Sequence, residues 1–220
     1  MQAKNRCSAS LRSRYAKDEA SILICMADAL GIPDQIDGGT VSLRPITHGD
    51  RLLIYRWLND PIVMALWEGT DRPLSEVKSV GWVERFVSDD ASLECLIMET
   101  VECPIGFIEL SRYPGSHTYG HLVEIDICIG EPSKWERGYG SAALSALLHW
   151  LFTSTNTHRA FLQPRAANER AVHVYEKVGF RKEGVLKQAE YHHGKYQDIV
   201  MMAAIRDEWL AEFSMKFEDA

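Results

Sequence analysis

The chain has 220 residues, 46% of them apolar and 25% charged, with a formal net charge of −7. This composition suits a globular protein of one domain with a small appendage, and the acidic balance, without a basic stripe interleaved with aromatics, excludes nucleic acid as a natural partner. No apolar run approaches the roughly 18 residues of a membrane helix, and five cysteines without a C-x-x-C pair argue for a reducing cytoplasm over a disulfide framework or a zinc site.

Residues 1–38 read as an N-terminal extension and residues 39–220 as a single domain. The only apolar run of the extension, Ile22 to Leu30, is broken by Asp28, so no signal peptide is expected. Lys17 to Leu30 has the pattern of a short amphipathic helix ended by Gly31-Ile32-Pro33, and Asp37-Gly38-Gly39 reads as a turn. Val41 to Pro45 is the first expected strand. Thr47 and Asp50 form a capping box for a helix carrying Leu52, Leu53, Tyr55, Trp57 and Leu58, which stops at Asn59-Asp60-Pro61. A second helix is expected over Ser75 to Val87. Strands follow at Leu93 to Glu99 and Pro104 to Leu110, then a turn at Arg112 to His117. His121 to Gly130 alternates: Val123, Ile125, Ile127 and Ile129 face one side; Glu124, Asp126 and Cys128 face the other.

A long helix begins near Tyr139, with Leu144, Leu147, Leu148 and Leu151 at the i, i+3, i+4, i+7 positions of a buried face. His158 to Gln163 reads as the next strand. Gly179 to Val185 and Tyr196 to Ala203 read as a closing hairpin, and Arg206 to Phe217 as a terminal helix. The interleaving of strands and helices suits an α/β fold.

Between the alternating strand and the long helix lies Lys134-Trp135-Glu136-Arg137-Gly138-Tyr139-Gly140-Ser141-Ala142. Glycine permits close backbone approach and positive φ, and a helix start presents free N–H groups and a positive dipole end. The natural occupant is an anion such as a phosphate. No Lys-Ser or Lys-Thr follows, and a third glycine is missing, so neither the P-loop nor the dinucleotide pattern is met. Asn168 stands 28 residues after Gly140. It opens a short helix, Glu169-Arg170-Ala171-Val172-His173-Val174-Tyr175-Glu176-Lys177, which Gly179 stops.

The glycine loop opening a long helix, then a strand, then Asn168…Tyr175-Glu176-Lys177-Val178-Gly179-Phe180, resembles the GNAT superfamily of acetyl-coenzyme A-dependent N-acetyltransferases from about Val41 to Arg206. The resemblance implies the GNAT fold, α/β with a mixed, mostly antiparallel central sheet flanked by helices, and acetyl-coenzyme A as co-substrate. It places the pantetheine arm on the strand of Asp126 to Gly130, at Ile127, Cys128 and Ile129. The pyrophosphate would lie on the amides of Arg137, Gly138, Tyr139, Gly140, Ser141 and Ala142, with Asn168 as a further cofactor contact. Trp135 departs from the Gln or Arg usual at its position. Tyr175 matches the tyrosine that protonates the coenzyme A thiolate; its alternative is a core tyrosine, since Ala171, Val174, Tyr175 and Val178 form an apolar stripe. No metal is expected, because His192-His193 has no ligand spacing with another Cys or His.

On the acceptor side, Glu124-Ile125-Asp126-Ile127-Cys128-Ile129-Gly130 resembles aminoglycoside 6'-N-acetyltransferases, whose aspartate binds and deprotonates the reacting ammonium. Asp126 is thereby implied as substrate ligand and base. Tyr55 to Asn59 and Leu66-Trp67-Glu68 resemble the opening helix and acceptor loop of the same enzymes, which implies a wall at Trp67 and ammonium ligands at Glu68 and Asp71. Glu109, on the strand from Pro104, is expected to face the same cleft as a substrate ligand, with a surface acid as its alternative. Phe180 to Leu186 and Gly194 to Met201 instead resemble ribosomal-protein N-terminal and spermidine acetyltransferases. The expected function is acetyl transfer to a primary amine of a cationic small molecule, first an aminoglycoside 6'-amine. The alternatives are a ribosomal-protein N-terminus, a polyamine, or a non-catalytic acyl-coenzyme A-binding module.

Overall fold

The computed structural model describes residues 30–67, 75–87, 92–112, 121–192 and 194–213. The helix expected over Lys17 to Leu30 lies almost wholly outside them, as do Glu68, Asp71, most of the turn after Arg112 and the end of the terminal helix. In chain order, β1 (Ile36–Asp37) and β2 (Ser42–Pro45) lead through a 3-10 turn to α1 (Arg51–Trp57), α2 (Pro61–Met64) and α3 (Glu76–Val87). Next come β3 (Leu93–Glu99), β4 (Pro104–Arg112), β5 (Leu122–Ile129), α4 (Tyr139–Ser154), β6 (Arg159–Leu162) and α5 (Glu169–Lys177). The hairpin of β7 (Arg181–His192) and β8 (Lys195–Ile205) precedes α6 (Arg206–Phe213).

The strands form one eight-stranded sheet in the order β1-β2-β3-β4-β5-β6-β8-β7. The β5–β6 neighbours are parallel and the other pairs antiparallel. Period-two alternation sends side chains to two separate cores. Leu96, Met98, Ile108, Leu110, Val123 and Ile125 pack on the α4 side. Cys95, Ile97, Phe107 and Cys128 pack on the side of α1, α2 and α3, with Trp57, Val63, Val83 and Phe86. Both faces are therefore covered. On α4, Leu144, Leu147, Leu148 and Leu151 are all fully buried, each contributing about 2 kcal/mol of apolar burial.

The helix ends follow the local signals. Thr47 N and Oγ1 both donate to Asp50 Oδ2, at 2.8 and 2.9 Å, and Asp50 also receives Arg44 at 2.7 Å. Asp60 breaks one helix and caps the next, its Oδ1 accepting from Ile62 N at 2.8 Å. Asn168 Oδ1 accepts from Ala171 N at 3.2 Å. Gly179 has φ +102°, and a Cβ there would lie 2.6 Å from the Trp209 ring, so the helix stop also fixes how α6 docks. The closing hairpin is longer than expected, because β7 runs on past a bulge between Leu186 and Glu190.

Candidate active site

The site begins where two strands part. β5 and β6 pair only at Leu122–Glu124 with Arg159–Phe161, while the other edge of β5 stays paired to β4 as far as Ile129. Beyond Glu124, no strand among the described residues covers the β6-facing edge of β5. Backbone N–H and C=O groups there need partners, so this edge suits an extended, amide-bearing ligand.

Two cavities meet across this opening. The first, of about 320 Å³, runs along Ile127, Cys128 and Ile129, over the glycine loop, and against α5. Gly138 caps α4 with φ +84° and Glu136 precedes it at φ +60°. The first helical bond of α4 runs from Ala142 N to Gly138 O at 3.0 Å. The N–H groups of Tyr139, Gly140 and Ser141 therefore come before the ladder, without intrahelical acceptors. Gly138, Tyr139, Gly140 and Ser141 line this cavity; Arg137 and Ala142 do not. Tyr139, Gly140 and Ser141 thus offer unpaired helix-start amides to the cavity, while Ala142 N is already bonded to Gly138 O.

Four basic side chains on the rim were not singled out in the sequence: Lys134, Arg170, His173 and Lys177. Three of them recur at i, i+3 and i+7 along α5, a helical stripe that the sequence did carry. Trp135, the departure from the family pattern, has a structural role. Its Nε1 donates to Ile129 O at 2.8 Å, and the Arg170 guanidinium lies 4.6 Å over its ring. A positive rim, free helix-start amides, an apolar wall and an open strand edge fit acetyl-coenzyme A in its phosphate and pantetheine parts.

The second cavity, of about 270 Å³, is lined by Glu124, Asp126, Gln163, Arg165 and Glu190, with Ile199 at its base. Gln163 Nε2 donates to Glu124 Oε1 at 2.8 Å, and Arg165 pairs with Glu190 at 2.9 Å. Three carboxylates against one guanidinium, among the described lining residues, make it acidic. Trp67, Ile127, Asn168 and Tyr175 line both cavities. Trp67 stands edge-on to Phe107, with ring centroids 5.2 Å apart, and so anchors this shared wall to the core. Glu109 lies directly opposite Asp126 in the β4–β5 register but lines neither cavity. It stands one strand farther from the open edge than Asp126, on the same face of the sheet.

Tyr175 forms the partition. It is half-buried in α5, with its ring edge-on to Phe180 at 6.1 Å. Desolvation, then the negative charge of Asp126, push its phenol above the ordinary tyrosine range. Cys128 is raised by burial and by Glu109, which leaves it a neutral thiol rather than a nucleophile. The partition therefore offers a protonated phenol to one cavity and a carboxylate, Asp126, to the other. No group of three or more His, Cys, Asp or Glu side chains suited to a metal is found among the described residues.

The family model of the acetyltransferase (GNAT) domain matches residues 40–181. Spermidine N(1)-acetyltransferase of Vibrio cholerae is 26% identical over 171 residues, which are 77% of this chain and 95% of that protein. Aminoglycoside N(6')-acetyltransferase type 1 of Klebsiella pneumoniae is 26% identical over 155 residues, 67% of this chain and 77% of that protein. A crystal structure of the Vibrio cholerae spermidine N-acetyltransferase in complex with CoA and spermine matches with a TM-score of 0.69 at 26% identity, over 78% of this chain and 98% of that one.

Proposed function

The chain belongs to the acetyltransferase (GNAT) family and is an acetyl-coenzyme A-dependent N-acetyltransferase, and from that premise we propose that its acceptor is a polyamine of the spermidine kind. The observation that carries this reading is the acidic second cavity. Glu124 and Asp126 sit on one face of β5, about 7 Å apart along the strand. The nitrogens of a polyamine, separated by short methylene chains, fall on a comparable spacing. The expectation of an aminoglycoside 6'-amine gives way here, since the spermidine enzyme matches more of both chains than the aminoglycoside enzyme does. That enzyme keeps the aminoglycoside as the second reading.

Acetyl-coenzyme A supplies an acetyl group already activated as a thioester. The glycine-loop amides and the basic rim hold its phosphates, and the open edge of β5 holds its amide-bearing arm. Asp126 attracts the acceptor ammonium and takes its proton, directly or through water, leaving a neutral amine as nucleophile. Tyr175 keeps its proton until the departing sulfur needs it, so the partition delivers base and acid to opposite sides of one reaction. Trp67 closes the acceptor side and limits water.

The test is thiol release by wild-type enzyme on spermidine, a kanamycin-type aminoglycoside and Ser- or Ala-starting peptides. The expected result is kcat/KM for spermidine at least about tenfold above the others, an advantage of about 1.4 kcal/mol. Turnover of the aminoglycoside with none of spermidine would sink the polyamine assignment and promote the second reading.

A further inference from the structure

The strand hairpin that closes the sheet reaches into the acceptor cavity through an irregularity. Between the pairs Leu186↔Ile199 and Glu190↔Gln197, β7 spends two more residues than β8. Gln188, inside this bulge, holds φ +51° without being glycine. Bulges of this kind re-aim side chains beside sites, and this one is fastened. Asp198 Oδ1 accepts from Gln188 N at 2.9 Å, and Asp198 Oδ2 pairs with Lys187 Nζ at 2.7 Å.

What the bulge aims is Glu190. Its carboxylate receives Arg165 Nε at 2.9 and 3.0 Å and Nη2 at 2.9 Å. The same guanidinium continues to the opposite wall, where Nη2 donates to Trp67 O at 3.0 Å and Nη1 to Leu66 O at 3.4 Å. The Arg165 side chain is only 10% exposed, and its backbone is bridged to Ile199 of β8. One planar donor fork thus joins the hairpin to the end of the segment after α2, near 100 residues away in sequence. A flexible ammonium has no such geometry.

We infer that Arg165, held by Glu190 and the β7 bulge, is a positioning residue that sets the acceptor wall at Leu66 and Trp67 and so tunes acceptor binding. The inference rests on the acceptor assignment of the second cavity made above. On this account the Glu190 charge is engaged by Arg165, and the ammonium-facing carboxylates are Glu124 and Asp126. Arg165 acts through Trp67, so its loss changes the fit of the acceptor more than the chemistry of transfer.

The test compares Arg165→Met, Glu190→Gln and the double variant with wild type, in hydrogen–deuterium exchange and in steady-state kinetics. The Leu66 and Trp67 amides, both bonded to Val63 O, should exchange faster in Arg165→Met. The KM for spermidine should rise about tenfold while kcat and the Kd of acetyl-coenzyme A stay within about threefold. The double variant should be no worse than Arg165→Met, because the pair works as one unit. Should Arg165→Met lose its cooperative melt, Arg165→Lys replaces it, keeping the charge but not the fork. Unchanged exchange at Leu66 and Trp67 would overturn the latch. Faster exchange with an unchanged acceptor KM would overturn its role in binding, and multiplying effects in the double variant would give Glu190 a direct substrate contact instead. If wild type acetylates another amine and not spermidine, the polyamine assignment fails, while exchange and the KM for that amine still decide the latch.

Discussion

The cavity on the glycine-loop side is walled mostly by residues between Ile127 and Leu144 and by Asn168 with the helix α5, to which Val63, Leu66 and Trp67 add one distant segment. The cavity on the Asp126 side takes Trp67, Glu124, Gln163, Arg165 and Glu190 from separated segments of the chain. The first works mainly through backbone: amides before a helix ladder, a positive φ, a strand edge. The second works through side-chain charge. A backbone site can serve one cofactor across many relatives, because almost any side chain can decorate it. A side-chain site changes its ligand when a few residues change. This difference explains why the co-substrate follows from the family while the acceptor has to be argued from Glu124, Asp126 and their surroundings.

The comparison breaks most visibly at Asp126. Asp126→Asn keeps shape while removing charge and basicity, so ammonium attraction and proton removal are lost together. The kcat/KM for the acceptor should fall by about three orders of magnitude. Binding of acetyl-coenzyme A by calorimetry should persist, since Asp126 lines the second cavity and not the first. A variant that still acetylates within about tenfold of wild type would make Asp126 a solvated strand acid with no part in the transfer.

A smaller effect is expected on the other side. Gly138→Asp puts a carboxylate where the helix start presents its amides. A Cβ at Gly138 meets no atom within 4 Å, and an acid suits a helix N-terminus, so the fold should survive the cost of positive φ, about 1 kcal/mol. The Kd of acetyl-coenzyme A should rise some tens of fold by charge repulsion and occupied donors, and the co-substrate should no longer raise the Tm. Wild-type affinity in this variant would show that the phosphates lie elsewhere. Together the two substitutions should separate the cavities: one loses the acceptor, the other the co-substrate.

The same division sorts what the sequence made legible. Gly138 before a helix, Asn168 and Gly179 around α5, and the alternation of β5 are local signals, each enforced within a few residues by backbone sterics or capping. They yielded the first cavity, apart from the basic stripe of α5, which was there to be read as a spacing. Arg165 and Glu190 gave no such signal. They meet because β5 and β6 diverge, because Asp198 holds a bulge around Gln188, and because Asp60 caps α2 and turns the chain towards Trp67. Each is a tertiary consequence with no periodicity in the chain. Glu109 shows the same limit: its strand and face follow from alternation, but its distance from the open edge is set by sheet order, which alternation does not encode.

Tyr175 belongs to both cavities, and there the expected effect is smallest. Coenzyme A leaves as a thiol whose pKa resembles that of cysteine, about 8.5, so an unprotonated thiolate is already a tolerable leaving group. Tyr175→Phe should therefore lower kcat by only about tenfold, the low end of general-acid contributions, with the Tm little changed because the ring still packs against Phe180. The pH dependence sharpens this. Desolvation and the Asp126 charge raise the phenol above its ordinary value, so the proton-carrying form persists up to and beyond pH of about 10. The stabilising effect of that neutral phenol is fully present below the unfolded pKa and is lost only as pH rises through the folded one. Wild-type kcat under saturating substrates should then rise to a plateau and hold it to about pH 10. A descending limb below that pH, absent in Tyr175→Phe, would mean a phenol ionising at its ordinary value, and a partition wetter than the packing around Phe180 implies.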